Sequence, residues 1–251
     1  MELLSVDHLC HTYDNQIPSL RDVSFSVEAG DRVGIAGANG SGKSTLLELI
    51  AGCMKPSSGN ILIKGTPVGD TTQGVRSRAG MVFQEPDNQL FMPTLWEDVA
   101  FGVMHTGVSP QQGREQALKA LRAVEAEHLA DRPPYKLSGG EKQRAAIASV
   151  LIMEPALVLL DEPTASLDPR ARKHLIRLLK TLDCTLLIAG HDLDMMLDMG
   201  GRVIFLHEGR IAAQSKIPGL LEDHAFLQRI GLELPLSLTH TNQEESTPEN
   251  S

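Results

Sequence analysis

The first 35 residues carry short apolar runs separated by turn-forming residues. The segments LLSVDHLCHTY and LRDVSFSVEAGDRVGIAG mix β-branched and apolar residues with Asp, Asn, Pro and Gly, a pattern typical of strands. The segment STLLELIAG then predicts a helix that ends at Gly52, and GNILIKGTPV predicts a further hairpin arm. His8 and His11, both in the first strand, are predicted to lie on its surface.

The pattern changes to helical between about 84 and 155, most clearly in SPQQGREQALKALRAVEAEHLADRPP. Ser109 can cap this helix, Pro110 suits its first position, and Leu118, Leu121 and Val124 fall on one apolar stripe. The later runs ALVLL and CTLLIAG, with helical segments between them, indicate buried parallel strands.

We therefore predict an α/β fold in a single domain over residues 1–232. An antiparallel β subdomain opens it, and a helical subdomain is inserted at about 84–155. The segment 233–251 is polar and rich in Ser, Thr, Asn and Glu, so it is predicted to be a flexible tail.

The composition excludes several classes of protein. Hydrophobic residues at 41% and charged residues at 22% are ordinary for a globular chain, and a net charge of −9 argues against nucleic acid as a partner. Cys10, Cys53 and Cys184 form no CxxC pair, so neither a disulfide framework nor a zinc site is indicated. No basic leader and no apolar run long enough to span a bilayer occurs, which predicts a cytoplasmic location, with any membrane role exerted through a partner.

The segment GANGSGKST fits the phosphate-binding pattern G-x-x-x-x-G-K-[ST] between a strand and a helix. Its glycines let backbone N–H groups curl around a polyphosphate, and the following helix adds its positive end. Lys43 would bridge the β- and γ-phosphates of a nucleotide, Ser44 would offer a hydroxyl to Mg²⁺, and Thr45 would donate to another phosphate oxygen. The predicted phosphate-binding residues are Gly37, Ala38, Asn39, Gly40, Ser41, Gly42, Lys43, Ser44 and Thr45.

A metal held beside a phosphate needs an acidic residue at a strand end, and LVLLDEP supplies one. Asp161 is predicted to hold Mg²⁺ through water. Glu162 is predicted to point to the other side of the pleat and to polarise the attacking water as a general base.

The segment LSGGEKQR forms a second anion-binding helix start, with Ser138 as cap and Gly139 and Gly140 exposing backbone N–H groups. With this segment the chain resembles the ATPase subunits of ABC transporters, from Leu3 to about Ala213. The resemblance implies that this helix start closes over ATP bound to a second subunit. It therefore implies a homodimer, or a heterodimer with a related ATPase.

The same resemblance assigns roles to four further positions. Tyr13 matches the aromatic residue that stacks on adenine, although it could equally be a core edge. Asp168 belongs to the segment that contacts the opposite subunit, where Ser166 replaces the more usual glycine or alanine. His191 matches the histidine that contacts the γ-phosphate and orients the water, and Gln84 matches the glutamine that senses MgATP.

The chain has nine aromatic residues, namely six Phe, two Tyr and one Trp. Four of these nine lie between residues 83 and 101: Phe83, Phe91, Trp96 and Phe101. Phe83 and Phe101 are predicted to be core residues, whereas Leu90, Phe91 and Trp96 favour a groove that takes a partner's helix.

The segment FQEPDNQLFMPTLWEDVAFG resembles the corresponding region of the ATPases of energy-coupling factor importers, which include cobalt, nickel and vitamin systems. The resemblance implies that a transmembrane scaffold protein docks near Gln84 to Phe101. That scaffold works with a separate substrate-capturing membrane subunit, so the chain is expected at the cytoplasmic face of the cell membrane.

Two other classes keep the same ATP residues. One is the ATPase of an exporter, against which only the DNQLF region speaks. The other is a non-transport ABC protein of translation or DNA repair, against which the single unbroken cassette argues. The transported substrate is not encoded in these residues, because the ATPase does not contact it.

Overall fold

The computed structural model describes residues 1–14, 16–68 and 78–239, and their strands form two sheets. The strands are β1 (Glu2–Thr12), β2 (Pro18–Glu28), β3 (Arg32–Ala36), β4 (Ser58–Ile63), β5 (Thr66–Pro67), β6 (Ala79–Val82), β7 (Leu157–Asp161), β8 (Thr185–Gly190), β9 (Arg202–His207) and β10 (Arg210–Lys216). The helices are α1 (Lys43–Ile50), α2 (Leu95–Met104), α3 (Pro110–Ala123), α4 (Gly139–Leu151), α5 (Pro169–Thr181), α6 (Leu193–Met199), α7 (His224–Arg229) and α8 (Leu236–Thr239).

The larger sheet has the order β10-β9-β3-β8-β7-β6 and is parallel from β9 to β6, with β10 antiparallel at its edge. Every residue of β7 and β8 is buried, which explains their unbroken apolar runs. Ala36 pairs with Gly190, and Asp161 pairs with Ala189. This register brings the carboxyl ends of the central strands to one edge.

The smaller sheet is antiparallel, with the order β2-β1-β4-β5, and shares a hydrophobic core with α1. A bulge interrupts β1 at His8, whose φ is 47°. Asp7 and His8 both face solvent, after which Leu9 and His11 turn inward. His11 is only 8% exposed, so the prediction that it lies on the strand surface is wrong.

The helical subdomain is formed by α2, α3 and α4. Ser109 caps α3 as predicted, because its hydroxyl accepts from Gln112 N and Pro110 follows it. Leu121 and Val124 are fully buried and Leu118 packs against the same core, which confirms the predicted stripe. No helix in the described part of the chain combines the length and the apolar character that crossing a membrane requires.

The chain continues past β10 into α7, where Phe226 packs edge-on against Phe205 at 5.0 Å between ring centroids. Asp194 of α6 then accepts hydrogen bonds from Leu236 N at 2.8 Å and Ser237 N at 2.9 Å. Leu236 and Ser237, in the described part of the predicted tail, therefore contact α6. The rest of that segment lies outside the described residues.

Candidate functional site

A cavity of about 410 Å³ opens at the carboxyl edge of the larger sheet, within the size range of small-molecule sites. The register of the strands explains its position. The glycine-rich loop follows β3, Glu162 follows β7, His191 follows β8, and Gln84 lies two residues after β6. The predicted site residues that line this cavity are Tyr13, Asn39, Gly40, Gly42, Lys43, Ser44, Thr45, Gln84, Glu162 and His191.

The glycine-rich loop is shaped by backbone positions that exclude side chains. Gly42 has φ 105°, in the left-handed region, and a Cβ at Gly37 would lie 2.4 Å from Leu206 O. Lys43 Nζ donates to Gly37 O at 2.8 Å and to Ala38 O at 3.1 Å. The ammonium group thus lies inside the curl of the loop, where a polyphosphate would meet both backbone N–H groups and a positive charge.

Asp161 fits a site for Mg²⁺. Its side chain is buried, and among the described residues its Oδ1 has no hydrogen-bond partner. Burial and then the neighbouring Glu162 raise the pKa of the Asp161 carboxyl, although a hydrogen bond from Ser44 and the charge of Lys43 act in the opposite direction. A cation held by Asp161 and Ser44 would relieve this cost, and oxygen ligands suit magnesium.

Glu162 leaves β7 in a left-handed conformation, with φ 46°, and its N–H donates to Ala189 O at 2.9 Å. The strand ends at Asp161, so the left-handed turn, and not the pleat, sets the direction of the Glu162 side chain. Its Oε2 lies 2.9 Å from His191 Nδ1, and its Oε1 lies 3.7 Å from Lys43 Nζ. A nearly buried carboxylate is thereby held between an imidazole and an ammonium group at the wall of the cavity, where it can accept a proton.

Tyr13 lies at the mouth of the cavity with 41% of its surface exposed. Its ring stands edge-on to His11 at 4.9 Å between centroids, and its hydroxyl is 2.9 Å from Thr45 Oγ1. Ser19 also donates to Thr45 Oγ1. The tyrosine is therefore no core residue, and its exposed ring face can stack on a planar base.

Ser138 caps α4 through a reciprocal pair of hydrogen bonds with Glu141. Its N–H donates to Glu141 Oε2 at 2.7 Å, and its hydroxyl accepts from Glu141 N at 3.4 Å. The backbone N–H of Ser138 is also the main cause of the lowered pKa of Glu141. The capping confirms a helix start whose next two residues, Gly139 and Gly140, carry no side chains.

The structure separates this helix start from the chain's own phosphate loop. Ser138, Gly139 and Gly140 line a second cavity of about 510 Å³, which they share with Asp168. Within the described residues, none of these four lines the cavity of the glycine-rich loop. Asp168 caps α5 by accepting from Arg170 N at 2.8 Å and Ala171 N at 2.9 Å.

The aromatic region divides between core and surface differently from the prediction. Phe91 is 64% exposed and Phe101 is 40% exposed, and their rings meet edge to face at 5.2 Å. Phe83 is also exposed, whereas Leu90 is buried and Trp96 packs against the core of the helical subdomain. The predictions of core positions for Phe83 and Phe101, and of a groove position for Leu90, are therefore wrong. Trp96 is only partly buried, so its position in a groove stays a prediction.

Two polar residues that the sequence analysis did not single out fix the loop that carries Phe91. Gln89 donates from Nε2 to Ala146 O at 3.0 Å and to Ser149 Oγ at 2.8 Å, so it ties this loop to α4. Asp98, buried within α2, accepts through Oδ1 from Phe91 N at 2.8 Å and Met92 N at 2.9 Å. The available signal was a carboxylate on the apolar face of a predicted helix, which must find partners when buried.

Comparison with known proteins places the chain in a family. The sequence profile described as "ABC transporter" matches residues 20–165. The chain is 45% identical over 237 residues to a putative ABC transporter ATP-binding protein of Geobacter sulfurreducens, covering 94% of this chain and 95% of that protein. It is 35% identical over 241 residues to the energy-coupling factor transporter ATP-binding protein EcfA1 of Methanospirillum hungatei, covering 94% and 87% respectively.

Solved structures agree with the sequence matches. The structure of cbiO1 from Clostridium perfringens, described as part of the ABC transporter complex cbiONQ, superposes with a TM-score of 0.82 at 35% identity, covering 97% of this chain and 99% of that one. The dimeric ATP-binding cassette MJ0796 with ADP and phosphate gives a TM-score of 0.77 at 30% identity, with coverage of 86% and 100%. The predicted fold class and ATPase activity are confirmed, and the chain belongs to the ABC transporter family as an ATP-hydrolysing subunit of the energy-coupling factor type.

Proposed function

We propose that this chain dimerises around MgATP and powers import through the membrane partners of an energy-coupling factor transporter. The pair would contain two copies of the chain, or one copy and a related ATPase. It would sit at the cytoplasmic face of the cell membrane, against a transmembrane scaffold that works with a substrate-capturing subunit. The names of the relatives support this assignment, since one is an energy-coupling factor ATPase and another is part of a transporter complex.

The two separate cavities support the dimer. The phosphate loop lines one of them, and the start of α4 lines the other. In a two-fold pair, the α4 start of each subunit would cover the loop of its partner, so that backbone N–H groups from both subunits face the triphosphate. Asp168 would lie in the same contact, because it shares the second cavity.

Within each composite site the phosphate-binding residues have separate tasks. The loop from Gly37 to Gly42 would cradle the phosphates, with Lys43 and Thr45 contacting their oxygens. Ser44, Asp161 and Gln84 would hold Mg²⁺, which when bound offsets the charge on the β- and γ-phosphates. The partly exposed ring of Tyr13 would stack on adenine at the mouth of the cavity.

The hydrolytic step would depend on Glu162 and His191. Glu162 would accept the proton of the attacking water as general base, because its carboxylate faces the cavity beside Lys43. His191, within hydrogen-bond distance of that carboxylate, would orient the water and the γ-phosphate. Catalysis of this kind relies on positioning and on charge stabilisation of an in-line attack.

The exposed pair of Phe91 and Phe101 is the observation that carries the transport assignment. Two aromatic rings in contact at the surface, joined by His105 at 4.3 Å from Phe101, form an apolar patch. The patch follows Gln84 in sequence, and Gln84 lines the ATP cavity. A helix of a membrane scaffold that covers these rings would remove them from water and would press on the segment that carries Gln84.

The test is co-purification with the scaffold in detergent, comparing the wild type with Phe91→Asp. The charged side chain should abolish recovery of the scaffold, because it cannot be buried against an apolar helix without a partner. ATP hydrolysis by the isolated chain should persist, since Phe91 is 64% exposed and does not line the ATP cavity. Leu236→Asp is the matched control, because it places the same charge on another exposed apolar residue, 71% exposed and outside the proposed docking surface.

Unchanged recovery of the scaffold with Phe91→Asp would contradict the docking surface. Recovery of an exporter permease in place of a small scaffold would replace the importer by an exporter. Transport of Co²⁺, Ni²⁺ or a vitamin into vesicles that hold the recovered complex would identify the substrate.

A further inference from the structure

An ion pair behind His191 joins two segments of the ATP site that are far apart in sequence. Asp192 accepts from Arg172 Nε at 2.7 Å through Oδ2 and from Arg172 Nη2 at 2.8 Å through Oδ1. Thr164 Oγ1 donates to the same carboxylate at 3.1 Å, and Met195 N at 2.9 Å. Both oxygens of Asp192 are thus fully used, in a bidentate geometry that fixes direction as well as distance.

Two partners of Asp192 connect it to the loop between Glu162 and Asp168: Thr164 lies in this loop, and Arg172 lies in the helix that follows it. Thr164 lies between Glu162 and Asp168, and only 7% of it is exposed. Arg172 is in the first turn of α5, where its N–H donates to Asp168 O at 2.9 Å. The loop from Glu162 to Asp168 is therefore attached to Asp192 at its middle and, through Arg172, at its far end.

These contacts close a ring. It runs from Glu162 along the loop to Asp168, through Arg172 to Asp192, and through His191 back to Glu162, where His191 Nδ1 lies 2.9 Å from Oε2. A displacement of the Asp168 end cannot be absorbed by a flexible side chain, because Arg172 and Asp192 are each less than a quarter exposed and bonded twice to each other. The ring would transmit it to His191.

Three carboxylates surround the guanidinium group of Arg172, and this excess of negative charge favours its contact with Asp192. Arg172 faces Asp192 and, at 4.0 Å, Asp198, and Asp194 adds a further negative charge. Burial tends to raise the pKa of Asp192, but the hydrogen bonds from Arg172, Met195 N and Thr164 lower it further than burial raises it. Asp192 is therefore ionised at neutral pH, and the loss of either partner would leave a half-buried charge without its counter-charge.

We propose that Arg172 and Asp192 are positioning residues for hydrolysis, which make the placement of His191 depend on the seating of the Asp168 loop against a second subunit. This inference rests on the proposed dimer, in which that loop contacts the partner. It assigns to the pair a task in the chemical step and not in nucleotide binding. Neither side chain needs to touch ATP for this role.

Asp192→Asn and Arg172→Gln are suitable variants, because the asparagine keeps an oxygen that can cap α6 while it loses the charge. Each should lower kcat about 10- to 100-fold, the expected cost of displacing a catalytic group by about 1 Å. KM for ATP should stay at the wild-type value. The double variant should be no slower than either single variant, because the two residues act as one unit.

Repeating the substitution in a His191→Ala protein distinguishes a positioning role from a general effect on stability. In His191→Ala, the further change Asp192→Asn should have no effect on kcat, since the residue through which it acts is gone. If the pair had only a structural role, Asp192→Asn would instead lower the melting temperature. It would also reduce kcat by the same factor in the wild type and in His191→Ala. Arg122→Gln, which breaks the exposed pair with Glu127 in the helical subdomain, is the control and should leave kcat unchanged.

The inference is overturned if kcat of Arg172→Gln and Asp192→Asn equals that of the wild type, or if KM rises while kcat does not fall. Its failure is distinguishable from failure of the dimer. ATP-dependent pairing is measured by light scattering in Glu162→Gln, with and without Arg172→Gln. Absence of pairing in Glu162→Gln alone would sink the proposed dimer, whereas pairing in both variants together with an unaffected kcat would sink only the role of Arg172 and Asp192.

Discussion

At the scale of single residues, Glu162 combines a strained backbone conformation with a charged side chain in the ATP site. Its left-handed φ of 46° is uncommon for a residue with a side chain and costs on the order of 1–3 kcal/mol in such sites. The hydrogen bond from its N–H to Ala189 O and the contact of its carboxylate with His191 hold it there. A residue of the same shape should therefore occupy the position without disturbing the fold.

Glu162→Gln is predicted to keep ATP binding and to lose turnover. The amide matches the carboxylate in size but cannot accept the proton of the attacking water, so kcat should fall by about 10²- to 10⁴-fold. Phosphate release measures the rate, and a fluorescent ATP analogue measures binding. Glu115→Gln, on the exposed surface of α3, is the control. A variant at Glu162 that hydrolyses ATP at the wild-type rate would show that another group is the base.

Much of the site could be predicted at this scale, because the spacing of GANGSGKST and LVLLDEP defines it without reference to distant residues. The contacts of Glu162 could not. Its left-handed backbone and its bond to His191 depend on the pairing of β7 with β8, two strands separated by the whole of α5. Likewise, no local pattern predicts that the hydroxyl of Tyr13 reaches Thr45, since the two lie on different elements.

At the scale of elements, Asp98 joins α2 to the loop that carries Phe91. Burial is the main cause of its raised pKa, which the hydrogen bonds from Phe91 N and Met92 N only partly offset. The folded protein therefore binds this proton more tightly than the unfolded chain does. The resulting contribution to stability is present below the unfolded pKa of about 3.9 and is lost as the pH rises through the higher folded value.

Asp98→Asn should consequently gain stability relative to the wild type as the pH rises from about 4 toward neutrality, since its amide oxygen accepts the same hydrogen bonds without a buried charge. Asp98→Ala should instead lose about 1–3 kcal/mol for each backbone N–H left without a partner. Urea unfolding at a series of pH values measures both. A stability difference between wild type and Asp98→Asn that does not change over this range would contradict the assignment.

The errors at this scale have two physical causes. A bulge in β1 at His8 shifts the alternation by one residue and turns His11 inward, and a bulge is set by pairing with β2, not by the strand's own pattern. Phe101 was predictable, because the period of about 3.6 residues that buries Leu95, Val99 and Val103 places Phe101 on the opposite face. Counting aromatic residues without their helical phase put it in the core.

At the scale of the whole molecule, the sequence predicts the α/β architecture well, because buried parallel strands are recognisable as unbroken apolar runs. The predicted end of the domain at residue 232 stays a prediction. Within the segment predicted as a tail, Pro235 is buried and Leu234 is half-buried. These two apolar residues, together with the hydrogen bond from Leu236 N to Asp194, hold the start of the segment against the domain. Composition averages over such a segment and hides the contacts of its first residues.

The composite site is the property that belongs to the assembly alone, and mixing two variants tests it. Lys43→Ala disables the phosphate loop. Gly139→Asp disables the α4 start, because its carboxylate repels a phosphate there, while the fold tolerates it: a Cβ at Gly139 meets only Ser166 O at 3.8 Å and Leu167 at 3.9 Å. An acidic residue in the first turn even favours the helix. Each variant alone has both sites of its homodimer disabled.

A one-to-one mixture should regain about a quarter of the wild-type rate, because half of the pairs are mixed and each mixed pair holds one intact site of two. That site combines Lys43 from the Gly139→Asp subunit with Gly139 from the Lys43→Ala subunit. As a control, mixing Lys43→Ala with the double variant Lys43→Ala/Gly139→Asp assembles no intact site and should restore nothing. If the first mixture also stays inactive, or if Gly139→Asp alone keeps the full rate, each subunit completes its own site, and the separation of the two cavities has no functional meaning.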